Sequence, residues 1–431
     1  MLLYLFGVIV LIIIAAFAYI RVTFKFWADQ PVMHVYDIQY WFKNKGIIDP
    51  RLPEKNKYCN FKSIETREYA TVSDIKLGGF TTLIQNNYLK DKDNVFLPLK
   101  ENIVPYFTGH NAPSYWSFYW ESTLMNRASD STIVKNNKLI GAITSRPLTV
   151  IINNGKKDAH FPVYYVDYLC VHKSHRKKGI APQLIQTHEY NQRHSNKTIS
   201  VSLFKREEEL TGIIPLCIYN TYAFSMKNWC KPLDLNADVK LVKCGKTNFH
   251  YLFHLLNSGQ EYGNQDFSHS LEEELNEGRK VKKAGESLFD ISILPEVGNI
   301  MELIKTDNIF VYMIVVNLLK GETVIGAYFF RKSCTFIEKG KEALTCFASI
   351  YDIETDRKKE FIHGYKMALA TICTIPGTTF HFAVVENISS NNLIVDDLMI
   401  KTKPYIVSPT GYFFYNFAYN TFNANKVLII N

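Results

Sequence analysis

The chain has 431 residues, 47% of them hydrophobic and 21% charged. That is ample apolar material for a large globular core, and it excludes collagen, coiled coil and disordered polymer. Its 49 Lys and Arg against 41 Asp and Glu give a formal charge of +8, which favours anionic partners without choosing among phosphates, phospholipid headgroups and nucleic acid. The eight cysteines stand apart, with no CxxC and no paired Cys/His spacing. They read as free thiols in a reducing compartment, and no metal site is expected.

Leu2 to Ile20 carries no charge and is about as long as the ~20 apolar residues that cross a bilayer's hydrocarbon. Arg21 and Lys25 follow at once, so the positive-inside rule places the rest of the chain in the cytosol. The rival is a cleaved secretory signal with Ala16-Phe17-Ala18 as its processing site, but the basic n-region and the short apolar core of such a peptide are missing. Residues 1–20 are therefore expected to be a transmembrane anchor.

Beyond residue 21 strand-like and helix-like segments alternate, with no long Gly/Pro/Ser linker. Ile133 to Ile152 reads as two strands around an Asn-Asn-Lys turn, Val163 to His172 as a strand and Ala181 to Ser195 as a helix. Asn308 to Lys332 reads as strand, turn, strand, and Arg357 to Val385 as a helix followed by a strand. This is a mixed α/β (α+β) pattern whose order recurs. Two related units are expected, spanning residues 21–235 and 236–431.

Arg176-Lys177-Lys178-Gly179-Ile180-Ala181 lies between the expected strand and helix. It fits the R/Q-x-x-G-x-G/A loop of acyl-CoA-dependent acyltransferases of the GNAT type. Helix N-terminal N–H groups bind anions, a glycine allows close backbone approach, and three cations offset phosphate charge. Taken alone the hexapeptide is weak, because a basic loop before a helix is commonly a solvated face.

The surroundings resemble one family. YLCVHKSHRKKGIAPQLIQ (Tyr168 to Gln186) is similar to the FLCVHKKLRSKRVAPVLI-type block of glycylpeptide N-myristoyltransferases. KFWADQPV (Lys25 to Val32), NNYLKDKDNVF (Asn86 to Phe96) and the segment from Tyr412 to Asn431 resemble three further blocks of that family, in the same order. The resemblance implies two tandem GNAT-like halves in one saddle-like body, the first binding myristoyl-CoA and the second supplying most of the peptide groove. It implies that Phe24, Lys25, Phe26 and Trp27 hold CoA and the start of the acyl chain, with Arg176, Lys177, Lys178, Gly179, Ile180 and Ala181 at the phosphates. The backbone N–H groups of Tyr168 and Leu169 would form an oxyanion hole, and the terminal carboxylate of Asn431 would be the base. A carboxylate buried there needs a cationic partner, which the substrate's ammonium would supply. Asp91, Asp93, Phe96, Asp167, Ser202 and Tyr219 would meet the peptide, and His172, His175 and His188 are read as solvated.

Departures from the family pattern bear on the expected chemistry. Asp167 stands where the family has Asn, and Ser202 where it has Thr, beside an apparent insertion over Phe204 to Glu209. Lys90 and Lys92 replace expected carboxylates, so a preference for a cationic substrate residue is not expected to carry over. The expected function is transfer of myristate from myristoyl-CoA, a co-substrate rather than a bound cofactor, to the N-terminal glycine of proteins. The alternatives are a catalytically impaired, membrane-bound binding or structural protein, and an acyltransferase using another acyl-CoA. The expected state is a monomer facing the cytosol, with no nucleic-acid partner.

Overall fold

In the computed structural model, the described residues are 2–42, 45–89, 94–126, 133–153, 159–207, 212–256, 288–318, 321–338 and 340–431. Asp91 and Asp93, with Lys90 and Lys92, lie outside them.

Helix α1 (Leu2–Thr23) is exposed along its described side chains and is long and apolar enough to cross a membrane. It leads into an irregular segment and then a mixed sheet whose strands are β1 (Ile64–Glu68), β2 (Asn94–Phe96), β3 (Tyr115–Asn126), β4 (Ile133–Ile152), β5 (Ala159–Val171), β6 (Ser202–Glu207), β7 (Cys217–Ser225), β8 (Val239–Lys243), β9 (Ile291–Leu294), β10 (Ile309–Leu318), β11 (Gly321–Ile337), β12 (Lys341–Tyr351), β13 (Phe380–Glu386), β14 (Ile406–Tyr415) and β15 (Val427–Ile429). The main path runs β15-β9-β4-β5-β6-β14-β7-β13-β12-β11-β10-β8, with β1 on β3, β3 on β4, and β2 on β11. Helices α2 (Asp74–Asn87), α3 (Ile180–Ser195) and α4 (Lys358–Cys373) pack on it.

The repeated order expected from the sequence is visible as two strand–helix–strand units. In the first, β5 continues through α3 into the parallel strand β6. In the second, β12 continues through α4 into the parallel strand β13. Parallel neighbours need a crossover long enough to return the chain, and a helix of 16 residues fills that role in each unit. The sheet is continuous across residue 236: β14, from the second half, lies between β6 and β7 of the first. The terminal strand β15 joins in parallel to β9, which is antiparallel to β4.

One expectation fails in detail. The Asn136-Asn137-Lys138 stretch makes no turn, and β4 runs unbroken through it for 20 residues. The 12-residue β3 supplies ladder partners along that stretch, with Asn137 opposite Ser122 and Lys138 opposite Glu121. Cross-strand pairing outweighs the turn preference of the two asparagines.

Candidate active site

A bulge opens the middle of the sheet. Between β4 and β5 the register steps from Ala142 opposite Cys170 to Thr144 opposite Asp167, so Tyr168 and Leu169 face the single residue Ile143. Such a bulge takes main-chain groups out of the ladder and re-aims them. Tyr168 has a φ of +50°, held by a buried ring packed among Phe80, Tyr88, Phe96 and Phe107. Phe96, expected to meet the peptide, thus lies beside the bulge. Leu169 is 36% exposed. The Tyr168 N–H, however, donates to the Asp167 carboxylate at 2.8 Å. A negative oxygen already occupies one of the two expected oxyanion donors.

On the sheet face carrying Tyr165 and Tyr412, the chain reaches Asn431, which is 3% exposed at the end of β15. The Arg331 guanidinium donates to the Asn431 main-chain oxygen at 2.9 Å and to its side-chain Oδ1 at 2.8 Å, while Asn431 Nδ2 donates to the Tyr412 hydroxyl at 3.2 Å. Arg331 also lies over the Phe347 ring at 4.4 Å. A resident cation therefore holds the Asn431 carbonyl, a partner the sequence reading had left to the substrate. Burial disfavours the charge of Arg331, but neighbouring Tyr106, Glu386 and Tyr412 outweigh that and raise its pKa.

Next to it, Lys205 donates to Glu386 at 2.9 Å, and the Tyr219 hydroxyl donates to the same carboxylate oxygen. Burial pushes Glu386 upward, yet the charges of Lys205 and Arg331 and these hydrogen bonds together hold its pKa below the ordinary value. Tyr219, expected to meet the peptide, stacks on Tyr412 with centroids 6.2 Å apart and so lies in the Asn431 cluster. Arg331, Lys205, Glu386 and Tyr412 were not singled out by sequence reasoning. The usable signal is a lone charge inside an apolar strand, as in FHFAVVE (Phe380 to Glu386) and GAYFFRK (Gly326 to Lys332).

Ser202 departs from its expected role. Its hydroxyl donates to Glu189 at 3.3 Å and accepts from Gln192 at 3.4 Å, facing α3, whereas Lys205, three residues on, faces Glu386. Alternation along β6 puts the two on opposite faces. His188 is also corrected: it is buried, hydrogen-bonded between Ser117 at 2.8 Å and Ser145 at 2.9 Å, and burial lowers its pKa to about 3. Glu189, enclosed beside Arg193, is raised by burial to about 7. Helix α3 thus buries its histidine in a structural polar network, while His172 and His175 lie in the loop before it, where His175 reaches Glu121 at 3.2 Å.

The basic loop precedes α3 as expected. Lys177 and Gly179 have φ of +61° and +74°; Gly179 is the N-terminal boundary residue of α3, in a left-handed conformation that glycine adopts without a Cβ penalty. Lys177, Lys178 and Gly179 are exposed, Ala181 is half-buried, and Ile180 turns inward onto Ile140 and Leu184. Arg176 does not stay with the lysines: its guanidinium donates to the carbonyls of Asn87, at the end of α2, and Val171. In the other expected CoA segment, Lys25 is exposed and Phe24 is half-buried at the end of α1. Trp27 stacks on Phe204, which stacks on Phe413. Phe26 packs on Tyr58, two residues before Asn60, which bonds Gln183 and Thr187 of α3. The loop at 58–60 therefore links the aromatic segment to the helix behind the basic loop.

A tandem arrangement of strand–helix–strand units on one mixed sheet gives a GNAT-like fold. Consistent with that class, the chain resembles a tandem GNAT protein from the clavulanic acid biosynthesis pathway (TM-score 0.50, 11% identity, 81% of this chain and 98% of that one). It resembles Saccharomyces cerevisiae N-myristoyltransferase with bound myristoyl-CoA more strongly (TM-score 0.66, 15% identity, 94% of both chains). Residues 51–217 match the family model "Myristoyl-CoA:protein N-myristoyltransferase, N-terminal domain". Glycylpeptide N-tetradecanoyltransferase of Plasmodium falciparum is 26% identical over 170 residues (39% of this chain, 38% of the relative). That of Eremothecium gossypii is 27% identical over 230 residues (52% and 46%). The aligned stretches span less than half the length of these curated relatives. Over residues 51–217 the chain is thus similar to the N-terminal domain of N-myristoyltransferases, and over most of its length it shares their fold.

Proposed function

We propose that this protein transfers myristate from myristoyl-CoA to the N-terminal glycine amine of protein substrates. The half at residues 21–235 would bind the acyl-CoA and the half at residues 236–431 most of the peptide. The observation that carries the reading is the main-chain oxygen of Asn431, buried at the end of β15 and held by Arg331 beside Tyr412. A terminal carboxylate at that place takes a proton from the glycine ammonium, and the freed amine attacks the thioester carbon. The oxygen of the resulting tetrahedral adduct is stabilised by the N–H groups of Tyr168 and Leu169. The C–S bond then breaks, the CoA thiolate leaves, and the nitrogen loses its second proton as the amide forms.

Phosphate charge is met by Lys177, Lys178 and the N-terminus of α3, with Phe24 to Trp27 along the pantetheine and the first acyl carbons. Arg176, bonded to Asn87 and Val171, positions the loop from behind. Helix α1 anchors the body at a membrane, on the cytosolic side where acyl-CoA is made. The test is CoA release by residues 21–431: it should require both myristoyl-CoA and a peptide with a free N-terminal glycine, and release with an N-acetylated peptide would contradict the reading.

One observation favours a second reading. The Asp167 carboxylate on the Tyr168 N–H must leave before an oxyanion can bind there, so a member with weak turnover that serves mainly to bind acyl-CoA and peptide at a membrane is the competing outcome of the same assay.

A further inference from the structure

Three cations lie around the proposed peptide amine site, and two of them, half-buried, have acceptors: Arg331 donates through Nη2 to Asn431, and Lys205 holds Glu386. Arg146, the third, is only 1% exposed in the middle of β4, and its Nε and Nη1 find no acceptor among the described residues. A buried guanidinium without an acceptor is among the costliest groups a fold can keep.

Two tyrosines stabilise its charge. The guanidinium carbon lies 5.2 Å from the Tyr106 ring centre and 5.1 Å from that of Tyr165. Cation–π contact of this kind contributes only about 0.5–2 kcal/mol and satisfies none of the N–H donors. The titratable neighbours do not complete the site. Burial, with a smaller push from Arg146, lowers the His110 pKa to about 4, so His110 brings no compensating charge. Asp167 sits two residues beyond Tyr165, the cross-strand partner of Arg146. Its carboxylate bonds the Tyr168 N–H and forms no ion pair with Arg146 among the described residues.

Arg146 is also well placed to meet a substrate. Leu148 and Val150, which follow it at alternate positions, pack with Tyr165, Tyr412 and Ile429, so Arg146 faces the Asn431 side of the sheet. Tyr165 lies 6.4 Å from Tyr412, whose hydroxyl bonds Asn431, and Tyr106 feels the charges of both Arg331 and Arg146. From Arg146 the route passes the Tyr165 ring at 5.1 Å, the Tyr412 ring 6.4 Å beyond it and the Tyr412 hydroxyl on Asn431, a path that an extended peptide rising about 3.3 Å per residue follows within a few residues.

We infer that Arg146 is a substrate subsite for a carboxylate: the protein selects glycine peptides carrying Asp or Glu at position 2, 3 or 4, and the acidic side chain docks on the unmatched Nε and Nη1. The inference rests on the proposed transferase reading. The chemistry favours a carboxylate because the Nε–Nη edge of a guanidinium matches its two oxygens in a bidentate fork. A lysine at the same position would bring a fourth cation into an interior that already holds three.

The test uses the full chain and three peptide series, each with Glu, Gln or Lys scanned through positions 2 to 4 behind a free N-terminal glycine. Two readouts are taken: kcat/KM for CoA release from myristoyl-CoA, and peptide affinity in the presence of a non-hydrolysable myristoyl-CoA analogue. At one scanned position Glu should exceed Gln by roughly tenfold or more in both, and Lys should fall below Gln. In Arg146→Met the Glu/Gln ratio should collapse to about one, and in Arg146→Lys, which keeps the charge without the fork, it should fall several-fold. A wild-type ratio near one at every position would overturn the inference, as would a ratio that persists in Arg146→Met. If Arg146→Met does not fold, the wild-type ratio and the Arg146→Lys variant still decide. Absence of CoA release with every peptide would sink the transferase reading instead, and the affinity ratio would still test the subsite.

Discussion

Arg331 and Lys178 carry the same charge in opposite dielectric settings. Arg331 is half-buried between β15 and the ring of Phe347, with its Nη2 fixed on Asn431; Lys178 stands in solvent at the mouth of α3. In the interior a charge is held in one geometry because leaving it unmatched costs several kcal/mol, whereas in the loop water and salt screen it and the side chain stays adjustable. Under the proposed function the inner cluster orients the reacting atoms and the loop gathers the CoA phosphates. Substitutions in the first region should act on folding and turnover together, and those in the second on ligand affinity alone.

The largest effect on stability is expected from Arg331→Met. It strands the Asn431 oxygen in the core and should lower unfolding stability by about 3–5 kcal/mol in a urea titration. A change below 1 kcal/mol would mean that water replaces the guanidinium there.

Next comes pH, where two buried glutamates act with opposite sign. Glu386 has a lowered folded pKa, so its contribution is present above the unfolded carboxylate range and is lost as pH falls through the folded value. Glu189 is raised to about 7, so the folded state favours its protonated form. Stability at this site is greatest below the unfolded pKa and declines as pH rises toward 7, by up to roughly 3 kcal/mol. Glu189→Gln should flatten that decline and make the variant more stable than wild type at pH 8. A wild-type stability curve that is flat from pH 5 to 8 and unchanged by the substitution would contradict the assignment.

A smaller change should follow Asp167→Asn. Removing the anion that accepts from the Tyr168 N–H should raise kcat by about tenfold, a fraction of the roughly hundred- to thousandfold a full oxyanion donor contributes. A fall in kcat would show instead that the carboxylate helps receive the amine.

The smallest effect on folding should come from Lys177→Ala with Lys178→Ala, with stability within about 0.5 kcal/mol of wild type while myristoyl-CoA affinity drops on the order of tenfold. Adding Arg176→Ala should destabilise the protein as well, because that exposed guanidinium donates to the Asn87 carbonyl at the end of α2.

The difference between the two regions also explains what could be read from the sequence. The loop was legible because its charges are consecutive and its neighbours alternate as strand and helix, so both its place before α3 and the recurring strand–helix–strand order hold in the structure. The buried cluster was not. Arg331, Lys205, Glu386, Tyr412 and Asn431 come from five strands or strand ends far apart in the chain, and only sheet pairing brings them together. Ser202 shows the same gap at single-residue scale: block similarity gives its place in order, but the strand's alternation decides which face the hydroxyl meets. His188 looked solvated because its sequence neighbours are polar. Those neighbours, Gln186, Glu189, Gln192 and Arg193, are buried with it, a polar helix face turned inward that periodicity of apolar residues cannot reveal.

Single-turnover CoA release shows whether the proposed base, a main-chain carboxylate at Asn431, takes the proton from the substrate amine. The chain ending at Asn431 is compared with the same chain extended by one glycine, both preloaded with myristoyl-CoA and mixed with a glycine peptide. A loss of roughly a hundredfold or more is expected in the extended chain, with myristoyl-CoA affinity unchanged because the proposed acyl-CoA contacts lie at Phe24 to Trp27 and the α3 loop. Equal rates in the two chains would contradict it and move the search for the base to Asp167.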